Sequence, residues 1–335
     1  MRALIRISRM PPLRQQAKQV LWSFFLSFLC FVIENEWLKK ERLCVIIRYQ
    51  SFREKSMTPK KYSRVYVEIT NICNKNCSFC HGTVRAKKRM SEEEFRYVIN
   101  EIRHLTDYVY FHVMGEPTTH PDLTKFIKYA TSLGLKCAVT TNGTLLSRLG
   151  DDFLDSGVYK VNLSVHSFED SDEQAHEKYL AELADFADKA TERGILTVLR
   201  LWNKGHDGGK NNKTLEFFKS RLDGEWKWGA RGARIKHKLH LEYGERFEWP
   251  DMNATCYGDS VFCYGLGDHF GILSDGSVIP CCLDSEGAIT LGNLFEKPID
   301  DILTTERAVA MRDGFKNRVA TEELCKRCGY ARRFG

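Results

Sequence analysis

Residues 64–80 read RVYVEITNICNKNCSFC. The β-branched and aromatic run over residues 64–70 predicts a strand, and Cys73, Cys77 and Cys80 follow it at once in the spacing C-x3-C-x2-C. Three thiolates on one short loop suit three irons of a 4Fe-4S cluster, whereas a fully protein-ligated cluster takes four. The fourth iron is then left open. The competing readings of the triad are a zinc site or a redox thiol pair, although structural zinc usually shows its cysteines two and two.

Downstream of this loop, short strand-like runs alternate with longer helical patterns, the signature of βα units on a parallel sheet. Further strands are expected at residues 108–115, 136–143, 160–167 and 197–202, with a sixth at 235–243. Helices are expected at 91–105, 122–133, 148–156, 173–193 and 213–221, the first opened by a Ser91/Glu94 capping box. Six units predict an α/β fold, a partial (βα)6 TIM-type barrel whose chemistry sits at the C-terminal ends of its strands. After about residue 245 the pattern changes. Runs at 269–273 and 277–280 flank Ser274-Asp275-Gly276, a hairpin signal, and residues 298–315 predict one helix. The expected organisation is an extension at 1–56, a barrel at 57–245 and a small cysteine-rich domain at 246–335.

The chain has 335 residues, 12 cysteines and a net charge of +6. Its length permits one or two domains, and the clustering of the cysteines points to metal rather than to a disulfide scaffold. Residues 1–56 hold seven Arg and four Lys against four Glu, hence +7, so the remainder is about neutral. Charge therefore gives no support to nucleic-acid or membrane-surface binding by the main body. Residues 20–33, VLWSFFLSFLCFVI, form an apolar run shorter than an ordinary membrane span. A membrane anchor, a secretory signal and an extension upstream of a start at Met57 compete for this segment. The last is expected, because Met57 shortly precedes the first strand and export would expose metal clusters to an oxidising compartment. The expected location is the cytoplasm.

The CNKNCSFC loop, its place after strand one and the aromatic Phe79 resemble the radical-SAM superfamily. That resemblance implies a 4Fe-4S cluster whose open iron binds S-adenosylmethionine, and reductive cleavage to a 5'-deoxyadenosyl radical that takes a hydrogen atom from a substrate. Gly115-Glu116-Pro117 resembles the family's GGE motif, with Met114 in place of the first Gly; the resemblance assigns Glu116 to the S-adenosylmethionine ammonium. Asn142, in Thr141-Asn142-Gly143, resembles the family's third-strand segment. Both stretches also read as simple turns. Ser164 and His166 are expected on one face of the fourth strand, where the family places ribose- or carboxylate-binding groups. Mid-strand Arg200, costly to bury unpaired, is assigned by the resemblance to the S-adenosylmethionine carboxylate.

Cys263, Cys281, Cys325 and Cys328 permit a closed four-ligand site, for zinc or iron–sulfur alike. The run CYGLGDHFGILSDGSVIPCC, then LGNLF, a helix and CKRC resembles SPASM/twitch extensions of radical-SAM enzymes. The shorter twitch form implies one auxiliary 4Fe-4S cluster on these four cysteines, with Cys256 and Cys282 spare. Cys30, Cys44 and Cys137 read as ordinary buried thiols. The leading expectation is a radical-SAM oxidoreductase or lyase acting on a small molecule, served by an electron donor such as flavodoxin or ferredoxin. Alternatives are a peptide-modifying SPASM maturase, a queuine-type nucleobase lyase, and a non-catalytic iron–sulfur or zinc protein. No residue is assigned as a catalytic acid or base.

Overall fold

The computed structural model describes residues 62–168 and 172–334. The expectations for residues 1–56, including the apolar run, Cys30 and Cys44, lie outside the described residues, as does Met57.

Five parallel strands follow in order: β1 (Arg64–Val67), β2 (Tyr108–Phe111), β3 (Lys136–Thr141), β4 (Lys160–Ser164) and β5 (Leu196–Lys204). Between and after them run α1 (Glu92–Ile102), α2 (Leu123–Ser132), α3 (Leu146–Leu154), α4 (Glu173–Glu192) and α5 (Lys210–Arg221). Along each strand alternate residues face the helices. Val65, Val67, Val109, Phe111, Val139, Val161 and Leu163 join Phe95, Phe126, Phe153 and Leu183 in one buried core. Ser91 accepts from the Glu94 backbone N–H at 3.1 Å and the Glu94 carboxylate accepts from the Ser91 N–H at 2.7 Å, completing the expected capping box.

The expected sixth strand at 235–243 is instead two strands. After β6 (Lys227–Gly229), β7 (Gly232–Lys236) turns back into β8 (Leu239–Glu245) through Lys238 at φ 64°, and β8 alone runs parallel to β5. No Gly, Asn or Asp marks that turn in the sequence. The sixth parallel strand completes the partial barrel.

The C-terminal hairpin forms as expected from β9 (His269–Ile272) and β10 (Ser277–Ile279), with Gly276 at φ 88°. It is no separate layer: β9 lies parallel beside β1, Tyr66 opposite Gly271, and short β11 (Gly292–Asn293) follows β10. One eleven-stranded sheet results, in the order β11-β10-β9-β1-β2-β3-β4-β5-β8-β7-β6. The described residues fall in one compact unit. The single helix expected at 298–315 is two, α6 (Ile299–Leu303) and α7 (Glu306–Lys316), because Thr305 leaves the helical path and its hydroxyl caps the Ala308 N–H at 3.4 Å. A last short helix, α8 (Glu323–Lys326), carries Cys325.

Candidate iron–sulfur and S-adenosylmethionine site

The loop after β1 is held at its root and leaves its thiols accessible. Asn71 spans the loop, donating to the Ala86 carbonyl at 2.8 Å and accepting from the Lys88 N–H at 2.8 Å. Asn74 is tied to the end of β3, donating to Thr144 Oγ1 at 2.8 Å and accepting from Asn142 Nδ2 at 2.9 Å. Cys73 and Cys80 are exposed and Cys77 half-buried. Backbone N–H groups of Lys75 and Gly82 reach the Cys73 and Cys80 sulfurs at 3.4 Å each, the hydrogen bonding that steadies cluster thiolates. From the C-terminal segment, Trp249 Nε1 donates to the Phe79 carbonyl at 3.3 Å.

The neighbouring strand ends close around this root. Gly115 stands at φ 77°, where an added Cβ would lie 2.3 Å from the Thr70 carbonyl oxygen, so the turn after β2 presses backbone to backbone against the start of the loop. The Glu116 N–H donates to the Ile72 carbonyl at 2.9 Å. Its buried carboxylate accepts from Thr118 N–H and hydroxyl at 3.0 and 2.6 Å and from Asn142 N–H at 2.6 Å. Burial pushes that carboxyl up and these donors oppose the shift. Glu116 and Asn142 thus lock the ends of β2 and β3 to the cysteine loop.

β4 ends at Ser164, and Val165–Ser167 is a 3-10 turn, so the expected strand alternation does not reach His166. His166 Nδ1 lies 3.0 Å from the Arg200 carbonyl and 3.4 Å from the Trp202 backbone nitrogen, and its ring sits 5.0 Å from Phe79. The buried charge of Arg200 is met by Glu242, Nε to Oε2 at 3.0 Å, and by the Trp202 ring at 4.7 Å. A cavity of about 270 Å³ opens at this mouth, bounded by Phe79, His166, Trp202, His206, Lys210 and Arg246. Ser164, on the half-buried end of β4, does not line it.

The other expected cysteine group also comes together. Cys263, Cys281, Cys325 and Cys328 line one small pocket walled by Val261, Ile289, Phe315 and Leu324. Burial pushes all four thiols up; nearby Cys263 and Cys325 raise Cys281 further, and Cys263 and Cys328 raise Cys325. Among the described residues, no three Cys, His, Asp or Glu side chains are grouped tightly enough to hold a single metal ion. The donor chemistry of both groups, soft thiols alone, suits iron–sulfur clusters. Cys282 turns away from the pocket toward Tyr66, its thiol pushed up to about 11 by burial, while Cys256 is exposed. Cys137 is an ordinary core thiol, pushed up to about 12.

Several residues that shape the site carried no motif. Glu68 is fully buried beneath the loop, paired with Arg85 at 2.7 Å, and the Tyr179 hydroxyl donates to the Asn142 carbonyl at 2.7 Å. Strand alternation alone places Glu68 opposite the core face; nothing in the sequence names its partner.

A partial parallel barrel with a three-cysteine loop at its mouth and a four-cysteine pocket beside it defines the iron–sulfur enzymes that use S-adenosylmethionine. Residues 67–204 match the profile of the Radical SAM superfamily and residues 263–329 that of an iron-sulfur cluster-binding domain of the SPASM type. The chain belongs to the radical SAM superfamily. Its cofactors are accordingly a 4Fe-4S cluster with S-adenosylmethionine, together with auxiliary iron–sulfur chemistry. Among curated relatives, a probable GTP 3',8-cyclase from Sulfurisphaera tokodaii is 34% identical over 114 residues, covering 31% of this chain and 34% of that one. An AdoMet-dependent heme synthase from Methanosarcina barkeri is 30% identical over 102 residues, 29% of each chain. The chain thus matches about a third of the length of these relatives. The crystal structure of BtrN in complex with AdoMet and 2-DOIA is similar in fold, with a TM-score of 0.52 at 16% identity over 81% of this chain and 94% of that one. Among the described residues no helix is long and apolar enough to cross a membrane.

Proposed function

We propose that this chain is a radical SAM oxidoreductase or lyase that removes hydrogen from a small polar molecule. In this reading Cys73, Cys77 and Cys80 hold the cluster that receives S-adenosylmethionine, and Cys263, Cys281, Cys325 and Cys328 hold one auxiliary cluster. When bound, the first cluster and S-adenosylmethionine supply the one-electron chemistry that activation of a C–H bond requires. The chain's own residues position and enclose. Asn71, Asn74 and Asn142 fix the loop, while Phe79, His166 and Trp202 wall the cavity beside it.

The observation that carries the proposal is the four-thiol pocket. Four cysteines converge there, the walls are apolar apart from Asp284, and the Asp284 carboxylate is taken up by the Ala288 and Ile289 N–H groups, so the site offers little to a substrate and suits an electron-storing group. That arrangement favours a reaction that ends in net oxidation.

Anaerobic reconstitution, iron counting and detection of 5'-deoxyadenosine after dithionite reduction test this reading. The full chain is expected to take up about eight irons, two clusters' worth. Cys77→Ala should hold about half and form no 5'-deoxyadenosine. Cys325→Ala should also hold about half, yet retain 5'-deoxyadenosine formation while losing substrate turnover. Cleavage that survives in Cys77→Ala overturns the assignment of the open-iron cluster.

A further inference from the structure

The four-thiol pocket has one charged wall. Among the residues that line it, the cysteines aside, Asp284 alone carries an ionisable group, and it is 2% exposed. Its place is fixed by the chain around it. The turn after Cys281 brings the Asp284 N–H onto the Cys281 carbonyl at 3.3 Å, and the Gly287 N–H closes onto the Asp284 carbonyl at 3.1 Å. The carboxylate then accepts from the Ala288 N–H at 2.8 Å on one oxygen and from the Ile289 N–H at 2.9 Å on the other. Burial pushes that carboxyl up, while the two donors and the Arg307 charge oppose the shift.

The cations around the pocket are turned to other acceptors. Arg307 gives Nε and Nη2 to Glu322 and Nη1 to the Thr290 carbonyl, so its ion pair is with that acid and not with Asp284. Arg327, between the two cysteines of the CKRC run, does not line the pocket; its Nη1 donates to the Ala254 carbonyl at 2.5 Å and its Nη2 lies 3.8 Å from Glu323. On the thiol side, the Gly265 N–H reaches the Cys263 sulfur at 3.3 Å, a bond that favours added electron density on sulfur. A carboxylate acts in the opposite sense. A cluster on four thiolates is already anionic and becomes more so on reduction, so a fixed negative charge on an apolar wall penalises the reduced form.

We propose that Asp284 sets the reduction potential of the iron–sulfur cluster held in this pocket, keeping it low so that an electron received there is readily given up. Asp284 is a positioning residue in the electrostatic sense: it acts through the cluster. One electron enters the pocket and the same electron leaves to a one-electron carrier, with no bond made or broken there. In a reaction that ends in net oxidation the pocket must empty after each turnover, and the Asp284 charge favours the emptied state. The inference rests on the reading of Cys263, Cys281, Cys325 and Cys328 proposed above, since it concerns the group they hold.

Redox titration of the anaerobically reconstituted full chain, followed by electron paramagnetic resonance with dithionite and mediators at about pH 8, tests the assignment. The signal of the second cluster is the one that persists in Cys77→Ala. Asp284→Asn and Asp284→Ser, both neutral, should each hold about eight irons. Each should shift the one-electron equilibrium of that signal at least tenfold toward the reduced cluster, a rise of about 59 mV or more. Asp284→Glu, which keeps the charge, should stay within about threefold of wild type, and the other signal should keep its midpoint in all three variants. An unshifted or lowered midpoint in the neutral variants overturns the proposal. So does an equal rise in Asp284→Glu, or loss of the second cluster's iron from both neutral variants, because either makes Asp284 a support of the loop and not a source of charge. A wild type that holds only about four irons and shows a single signal overturns the cluster reading of the four cysteines itself, an outcome distinct from eight irons with an unmoved potential.

Discussion

Gly115 shows what one missing Cβ does for the site. Its φ of 77° and the 2.3 Å approach of a virtual Cβ to the Thr70 carbonyl combine strain with a backbone clash that no rotamer change relieves. Gly115→Ala is therefore expected to cost about 2–4 kcal/mol and to lower iron uptake at the adjacent cysteine loop. Gly194→Ala is the control, because Gly194 has a φ of 75° with nothing near its virtual Cβ, and it should cost only about 1 kcal/mol with normal iron content. Equal losses in both variants, by thermal melt and iron assay, would remove the backbone approach from the explanation. The residue type was legible in the Gly-Glu-Pro motif. The reason was not, since the contact joins positions 45 apart in sequence and depends on how β1 and β2 pair.

Elements with strong periodicity and caps were legible before any coordinates: α1 with its Ser91/Glu94 box, the first five strands, and the Asp275-Gly276 hairpin. What single-sequence reasoning missed lacked local marks. The β7–β8 turn uses Lys238 at φ 64°, and the α6–α7 break is a pair of threonines, residues that sit as readily inside an element as between two. The partner of β9 was equally hidden, because pairing with β1 spans 205 positions. α7 and α8 are joined by Arg307 and Glu322, with Nε–Oε1 at 2.7 Å and Nη2–Oε2 at 2.8 Å, and this pair seats the helix that carries Cys325. The Arg307 hydrogen bond holds the Glu322 carboxyl below its ordinary 4.5. A depressed carboxyl contributes stability above its unfolded value, lost as pH falls through its folded one. Glu322→Gln should accordingly lower stability by up to about 1 kcal/mol at pH 7, where Arg307 is half-exposed and screened, and by nothing once both forms are studied well below pH 4. A mutant deficit that persists unchanged in acid would show that the carboxylate charge is not its source.

At the scale of the whole molecule, barrel and cysteine-rich segment are one body, and the joint is Glu68. This fully buried carboxylate accepts from Arg85 at 2.7 and 2.9 Å, from the Met114 N–H at 3.1 Å, and from the Ser274 N–H and hydroxyl at 3.2 and 2.9 Å. Arg85, on the strand-to-helix connection that also bears the three-cysteine loop, donates onward to the Ser285 carbonyl at 2.9 Å. One acid thus ties the root of the first cysteine site to the hairpin that leads into the second. Glu68→Gln would leave the Arg85 charge buried and unanswered, a loss of about 3–5 kcal/mol. Pairing it with Arg85→Met should restore part of that loss, a coupling that a double-mutant cycle resolves. In anaerobic thermal melts of the reconstituted protein, cluster absorbance and far-UV dichroism should fall together in the wild type. In Glu68→Gln the visible bleaching should split, with one cluster lost before the other. Bleaching that stays a single event in the variant, at an unshifted midpoint, would mean that the sheet pairing of β1 with β9 alone holds the two halves together.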